Sequence, residues 1–362
     1  MGRPRGIIIL LCGAALLAGA EPLRGQASPA GELELDLTGR VQIQFSTTSV
    51  GEEELGEEAP PATAFEMRRV RLGTNFAYDD WIAGKLEAEV TLGLARLTDA
   101  YVDLALTPAL RVRAGQFKKP FGLFELESNT RIITIERSVR IRGLAQLTGV
   151  LPGETHLLLA GSRYLGRDVG LMVSAAGGGV GVSAGIFNGE GPNALETEGS
   201  KAYAARVEAA PMEALTLAGS VSSRPYTWGD SEEEERATAY SVDLTWGGFR
   251  EEGLRVMAEA MFGDNALRDP ATAPSMVGVQ AAASWFAPVD GRRVEGVEPL
   301  FRISWADPDT DADSNEGVFV TPGFNLYFSG RNRLMVNGDV YVPSQDGLDA
   351  QYALRTQMQI YF

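Results

Sequence analysis

The sequence has almost no cysteine or histidine. Cys12 is the only cysteine and His156 the only histidine among 362 residues. A single cysteine forms no internal disulfide, and a single histidine excludes a metal centre built from several histidines. No P-loop or dinucleotide-binding fingerprint is present, so we expect neither an enzyme nor a bound cofactor. Beyond the N-terminus no run of about 18 apolar residues occurs, and the sequence predicts no transmembrane helix.

The N-terminus has the pattern of an export signal. Arg3 and Arg5 form a basic start, and the mostly apolar run Ile7–Ala18 is too short to span a bilayer comfortably. Small residues favour cleavage after Ala27, with Ala20 as a second candidate. We therefore expect an exported protein whose first 27 residues are removed.

Positive charge is scarce and unevenly placed. The chain carries a net charge of −16 and has a pI of about 4.7, which argues against nucleic acid as a partner. The segment from Leu110 to Arg167, however, contains ten Lys or Arg residues and only four Asp or Glu. A basic island in an acidic protein predicts a site that attracts anions.

Short segments of alternating apolar and polar residues recur along the chain, as in membrane barrels. The last, Gln351–Phe362, has an apolar and a polar face and ends on an aromatic residue. Sixteen segments can be counted, among them Arg69–Tyr78 and Thr98–Leu106, with a turn at Pro211 and a long connection after the fifth strand. The sequence thus predicts an all-β fold, a transmembrane antiparallel barrel of about 16 strands occupying residues 28–362.

Two motifs carry a resemblance to a known family. Residues 111–122 read R-V-R-A-G-Q-F-K-K-P-F-G, and residues 135–138 read I-E-R-S. This pattern resembles the porin O and P family, phosphate-selective or polyphosphate-selective channels of the bacterial outer membrane. The resemblance implies a homotrimer of sixteen-stranded barrels in which the long third loop folds into the lumen.

Basic side chains on the strands and in the third loop are the candidate pore-lining and anion-binding residues. In the second and fifth strands, alternate Arg residues fall on the polar face, and the third loop adds further Lys and Arg residues. Arg forks match phosphate oxygens, and rings of Arg and Lys select anions in pores. The candidates are Arg69, Arg71, Arg111, Arg113, Lys118, Lys119, Arg131, Arg137 and Arg140. Alternatively, the loop arginines pair with Glu125, Glu127 and Glu136 and pin the loop to the wall.

The predicted function is passive diffusion of small hydrophilic solutes through the outer membrane, with small anions such as phosphate or polyphosphate as the preferred solutes. The chain has only four lysines, and Asp99 and Asp103 are expected on the polar face of the fourth strand, so a general diffusion pore is equally compatible. A structural or adhesive barrel with a plugged lumen is the alternative.

Three acidic clusters fall in predicted outer loops: Glu52–Glu58, Glu232–Glu235 and Asp307–Glu316. They are solvated surface or places where divalent cations bridge to lipopolysaccharide. The cluster Asp307–Glu316 places oxygen ligands at alternate residues, as calcium loops do, but lacks the usual Gly and final Glu. We therefore predict no metal site.

Overall fold

The computed structural model describes most of the chain after its N-terminus. The described residues are 33–91, 94–148, 154–196, 199–227, 234–267, 275–313, 315–345 and 347–362. The predicted signal peptide, residues 1–27 with Cys12, lies outside them, as does part of the acidic cluster Glu232–Glu235. In the described residues, no helix is long and apolar enough to cross a membrane.

Sixteen strands make up most of the described part of the chain. Their alternation of apolar and polar residues matches the period of a pleated strand, in which successive side chains point to opposite faces. The strands are β1 Leu33–Thr47, β2 Thr63–Tyr78, β3 Ile82–Thr91, β4 Leu94–Thr107, β5 Leu110–Lys118, β6 Arg167–Gly177, β7 Val180–Phe187, β8 Ala202–Met212, β9 Leu215–Tyr226, β10 Glu235–Trp246, β11 Gly253–Asp264, β12 Ser275–Pro288, β13 Gly296–Asp307, β14 Gly317–Tyr327, β15 Arg333–Pro343 and β16 Gln351–Tyr361.

The helices in the described residues are short and lie in loops. The helix α1, Glu52–Leu55, and the 3-10 turn Gly56–Glu58 carry the first acidic cluster, with the charged residues exposed. Three more helices lie between β5 and β6: α2 Leu123–Leu126, α3 Leu144–Thr148 and α4 Thr155–Gly161. We call this connection, residues 119–166, the third loop.

The sheet closes into a barrel. Each strand pairs antiparallel with its neighbours in sequence, and β1 pairs with β16. Closure leaves no sheet edge, so every strand has two hydrogen-bonding neighbours, as a structure surrounded by lipid requires. The prediction of a sixteen-stranded antiparallel barrel is confirmed.

The two faces of the barrel differ in chemistry. Large apolar side chains such as Leu72, Val242 and Ile303 are exposed on the outer face. The inner face carries charged residues that reach across a neighbouring strand, such as Arg206 on β8, which pairs with Asp243 on β10. This apolar-out and polar-in pattern is typical of membrane barrels.

Several strand boundaries differ from the prediction, most clearly those of the second, fourth and eighth strands. The second strand begins at Thr63 instead of Arg69, because a bulge opposite Gln42 and Ile43 lets pairing continue past an interrupted alternation. The fourth strand begins earlier than predicted, at Leu94 instead of Thr98. The predicted turn at Pro211 was wrong, since Pro211 lies in β8 and the chain reverses after Met212.

The third loop contacts the polar face of strands far from its own ends. The carbonyl of Ile133 accepts a hydrogen bond from Asn325 on β14 (3.0 Å), and the amide of Ile135 donates to Asn337 on β15 (2.7 Å). Arg255 on β11 donates to the Arg131 carbonyl (2.7 Å). These bonds satisfy backbone groups in a loop whose residues 132–136 are buried.

Apolar residues of the third loop pack against the same strands. Leu123, Phe124 and Ile133 form one buried cluster with inner-face residues of β11, β12 and β13, namely Met257, Ala282 and Leu300. A second cluster places loop residues such as Phe121 and Leu158 against β10, β11 and β12. The inner face is therefore apolar or small where the loop packs, which interrupts the simple polar-in pattern.

Glutamine pairs connect β1 and β16 at the position where the barrel closes. Gln42 donates to Gln359 and Gln44 to Gln357, both at 2.8 Å. Gln359 also donates to the carbonyls of Thr130 in the third loop (3.2 Å) and of Arg331 (2.7 Å). We call these four residues the glutamine seam, and it joins barrel closure to loop anchoring.

Replacing Gln359 with Leu should destabilise the barrel. The change removes one of the two partners of the Gln42 amide, which keeps the Asn129 carbonyl (3.4 Å), and it takes the Gln359 donor from the carbonyls of Thr130 and Arg331, at a cost of about 1–3 kcal/mol. The temperature at which heated protein changes its mobility on a denaturing gel should fall. The matched control is Thr356→Val on the outer face of the same strand, which should leave that temperature unchanged.

Candidate functional site

A cavity of about 400 Å³ lies between the first half of the barrel wall and the third loop. It is lined by inner-face residues of β1 to β8 and by loop residues from Pro120 to Arg137. Eight of its lining side chains are cationic and three are carboxylates, an excess of five positive charges in a chain whose net charge is −16. The cations are Arg40, Arg71, Lys85, Arg113, Lys118, Arg137, Arg167 and Arg206.

Glu87 is the centre of the ion pairs on β1, β2 and β3. Its carboxylate lies 2.9 Å from Arg71, 3.1 Å from Lys85 and 3.3 Å from Arg40. Strand pairing explains the convergence, because the three strands are consecutive neighbours in the sheet. Three cations therefore share one carboxylate, although Arg71 also pairs with Glu89 (2.5 Å) and Lys85 with Asp99 (3.1 Å).

Three further arginines make two-pronged contacts with carboxylates. Arg113 binds both oxygens of Asp103 at 2.7 and 2.8 Å, and Arg167 binds both oxygens of Asp99 at 2.8 and 3.0 Å. Arg206 binds Asp243 in the same way, at 2.6 and 2.9 Å. A guanidinium has five N–H donors, so each fork leaves other donors for a third group.

The partner carboxylates reduce the positive excess. Four of them pair with cavity cations without lining the cavity themselves: Glu89, Asp103, Glu125 and Asp243. When they are counted with the three that line it, seven carboxylates oppose eight cations. Cationic N–H groups thus face the cavity while the local net charge stays close to +1.

The structure brings some of the predicted residues together at this cavity. Arg71, Arg113, Lys118 and Arg137 line it, and Arg111 lines an adjacent cavity of about 510 Å³ near the short turns. That adjacent cavity shares four lining residues with the first: Met172, Ser183, Arg206 and Glu208.

The other predicted residues lie away from this cavity. Lys119 is buried and donates to the Arg163 carbonyl (2.6 Å), while Arg131 is exposed. Arg140 pairs with Glu66 at 3.4 Å and Arg69 pairs with Glu136 at 2.7 Å. These contacts correspond to the alternative role, in which basic groups hold the loop to the wall.

Four cationic lining residues were absent from the predicted set: Arg40, Lys85, Arg167 and Arg206. Alternation on β1 and β8 places Arg40 and Arg206 on the inner face, and that signal was available in the sequence. Arg167 lies at the start of β6 and within the basic island. Alternation predicts which face of the sheet a side chain occupies. It does not predict the position of the residue along the barrel axis, because that position depends on the register between neighbouring strands.

Two loop carboxylates hold the third loop. Glu136 accepts from Arg68 (2.6 Å), Arg69 (2.7 Å) and Gln44 (2.8 Å). Burial by itself would raise the pKa of the Glu136 carboxyl, but Arg69 and Arg68 outweigh it and hold that pKa well below its ordinary value. Glu125 lies 3.5 Å from Arg137 and 3.7 Å from Lys118, both of which line the cavity.

His156 is a buried residue of the third loop. It lies in α4, buried, with Nε2 3.4 Å from the Glu125 carboxylate, and so is not on an outer strand face. Across the described ranges, no group of three or more His, Cys, Asp or Glu is arranged to hold a metal ion.

A closed barrel of sixteen antiparallel strands, apolar outside and polar inside around a charged cavity, defines an outer-membrane β-barrel of the porin class. The chain belongs to the phosphate-selective porin O and P family, whose model matches residues 36–245, more than half of the chain. The protein is therefore a bacterial outer-membrane protein. A comparison with curated proteins found no match.

Solved porins share the fold at low sequence identity. The anion-selective porin from Comamonas acidovorans is 13% identical with a TM-score of 0.65, over 91% of this chain and 100% of that one. The outer membrane channel DcaP of Acinetobacter baumannii is 14% identical with a TM-score of 0.59, over 91% and 100%. OmpT of Vibrio cholerae is 11% identical with a TM-score of 0.60, over 93% and 99%.

Replacing Glu136 with Gln should destabilise the protein at neutral pH and much less in acid. Breaking a buried pair by removing one partner costs about 3 kcal/mol or more. Because the folded-state pKa is depressed, the carboxylate stabilises the fold above the ordinary Glu pKa of about 4.3 and loses this contribution as the pH falls below it.

The measurement is the heat-induced mobility transition of both proteins at neutral pH and at about pH 3. The difference between wild type and variant should shrink in acid. The control Glu66→Gln removes a half-exposed partner of Arg140 and should have little effect at either pH. If the transition temperatures of wild type and Glu136→Gln differed equally at both pH values, the stabilising role of the Glu136 carboxylate would be contradicted.

Proposed function

We propose that the protein is a passive diffusion pore for small hydrophilic solutes with a mild preference for anions. The observation that carries the proposal is the cavity between the wall of β1 to β8 and the third loop, where eight cationic side chains face three carboxylates. A ring of Arg and Lys groups lowers the energy of an anion at the narrowest part of a pore.

The third loop, in this proposal, folds into the barrel and forms one side of the constriction. Its contacts support this path, because it bonds to inner-face residues of β1, β11, β14, β15 and β16. The carbonyl of Arg137 also accepts from Arg302 on β13 (2.7 Å). A loop that leaves β5 reaches all of these strands most directly through the interior.

Passage of an anion through a pore requires hydrogen-bond donors that bind the anion and release it again. Arg113 and Arg167 each use one edge of the guanidinium for a carboxylate, and their remaining N–H groups are available to a passing anion, whereas Arg206 contacts Asp243 and also Glu208 (3.5 Å). The fixed carboxylates hold these groups in place, so an anion exchanges water for preorganised donors without reorganising the wall.

The preference for anions should be mild. A single net charge about 5 Å away changes the energy of a monovalent ion by about 0.8 kcal/mol at the dielectric constant of water, which corresponds to roughly four-fold. The near balance of eight cations and seven carboxylates therefore supports passage of phosphate among other small anions more than tight phosphate binding.

Trimer formation and contact with lipopolysaccharide are part of the same proposal. One of the similar structures is the trimer form of OmpT of Vibrio cholerae. The acidic residues of α1 are exposed at the surface, where individual carboxylates can share divalent cations with anionic lipid. Molar mass by light scattering in detergent should be three times that of the mature chain, and a monomeric mass would contradict the trimer.

Purified protein in a planar bilayer should conduct, with chloride several-fold more permeant than potassium in a KCl gradient, because the net charge lowers the energy of the anion and raises that of the cation. Reversal potentials measure this ratio. Added phosphate should reduce the chloride current only at high concentration. A strong preference for potassium would overturn the anion reading, and absence of conductance would favour the plugged structural barrel.

Replacing Arg40 with Gln should bring the permeability ratio towards one. Arg40 is the least disruptive cation to remove, because Glu87 keeps Arg71 and Lys85 as partners. The matched control is Arg236→Gln, an exposed arginine on β10 that does not line the cavity. An unchanged reversal potential in the Arg40 variant would contradict a role for the cationic ring.

A further inference from the structure

The cavity contains an apolar patch among its charges. Tyr101 and Met172 line it and are half-buried, and both pack on a buried cluster of Phe117, Phe187 and the alanines Ala202 and Ala204. This cluster is on the inner face of β4 to β8, where a water-filled pore would ordinarily carry polar residues. We call Tyr101, Phe117 and Met172 the apolar patch.

Glycines make the room for this patch. A Cβ at Gly170 or Gly185 would approach the Phe187 ring to 2.6 or 2.8 Å, so the ring can lie against the wall only because both residues lack side chains. Gly115, opposite Tyr101 in the sheet, has φ +126, and a Cβ there would come within 2.2 Å of the Ala100 carbonyl oxygen. The patch is thus built into the wall.

Cationic groups border the patch directly. The Arg113 guanidinium lies 3.9 Å from the centre of the Tyr101 ring and 5.5 Å from that of Phe117. Arg113 is opposite Met172 in the pairing of β5 with β6. Leu126 of the third loop adds a further apolar group to the cavity. The site therefore offers N–H donors and an apolar surface within the length of one small molecule.

We propose that the constriction selects organic anions with an apolar body, in particular aromatic monocarboxylates, over inorganic anions of similar charge. The carboxylate would bind the free edges of Arg113 and neighbouring cations while the ring contacts the apolar patch. This inference rests on the proposed pore function and names the class of solute that the pore takes. Inorganic phosphate and chloride use the cationic groups alone and gain nothing from the patch.

The apolar patch has a simpler possible role, which is to hold Arg113 in place by cation–π contact. That role requires Tyr101 but gives no reason for Met172 and Leu126 to line the cavity beside it. It also gives no advantage to benzoate over acetate. The comparison of these two anions therefore separates the two roles.

The experiment compares benzoate, acetate and benzylammonium on the wild-type protein. In planar bilayers, benzoate should reduce the chloride current at a concentration at least about four-fold lower than acetate, the factor expected for burying one methylene equivalent. Benzylammonium, which has the ring and the opposite charge, should not reduce it. Calorimetric titration of the detergent-solubilised protein with the same three probes gives affinity without requiring conductance.

Two pairs of variants test the residues. Met172→Ser should weaken benzoate binding about four-fold or more and leave acetate unchanged. Tyr101→Ser also removes the cation–π contact of Arg113 and should weaken benzoate binding more than acetate binding. Met172→Leu and Tyr101→Phe keep the apolar surface and should retain the wild-type preference. Heat-modifiable gel mobility checks that each variant is folded, and the wild-type comparison of benzoate with acetate stands without any variant.

The outcomes distinguish this inference from the proposed function. A conducting, anion-preferring pore in which benzoate and acetate act equally overturns the inference and leaves the pore function intact. A barrel without conductance that still binds benzoate more tightly than acetate supports the inference and overturns passive diffusion. Equal affinity of the serine and wild-type proteins for benzoate overturns the assignment to the apolar patch.

Discussion

Closure of the sheet between β1 and β16 is the constraint on which the rest of the molecule depends. In lipid, an unpaired strand edge leaves backbone groups without partners, and only a closed barrel avoids that cost. The glutamine seam reinforces the closure with side-chain bonds and extends it to the third loop through Asn129, Thr130 and Glu136. The same four residues therefore help to fix both the wall and the loop that narrows the proposed pore.

The ion pairs inside the barrel hold its charged side chains in place, and the same ion pairs limit the preference of the proposed pore for anions. Each cationic side chain at the cavity has a carboxylate within 4 Å, so the guanidinium groups are held in defined positions. The same carboxylates cancel most of the field that an anion would feel. A wall of unpaired arginines would attract anions more strongly, but the desolvation cost of each buried charge would then go uncompensated.

The sequence predicted the fold more completely than the site. Strand number, closure and the inward direction of Arg71 and Arg113 follow from alternation with a period of two, which is a local property. The contacts of the third loop are different, because Glu136 pairs with Arg68 and Arg69, which are remote from it in the sequence. Alternation also missed the apolar patch, since inward-facing Phe117 and Met172 break the rule that inner residues are polar.

The contacts of the third loop are unevenly distributed around the barrel. Strands β1 to β8 border the cavity, whereas the inner faces of β11 to β16 supply most of the loop's anchoring contacts. The family match, residues 36–245, ends in β10 and so covers the whole cavity wall together with the loop. In the proposed pore, substitutions at the cavity wall would therefore change permeability, and those at the anchoring strands would change stability. The exceptions are Gln44, Arg68 and Arg69 on β1 and β2, which hold Glu136.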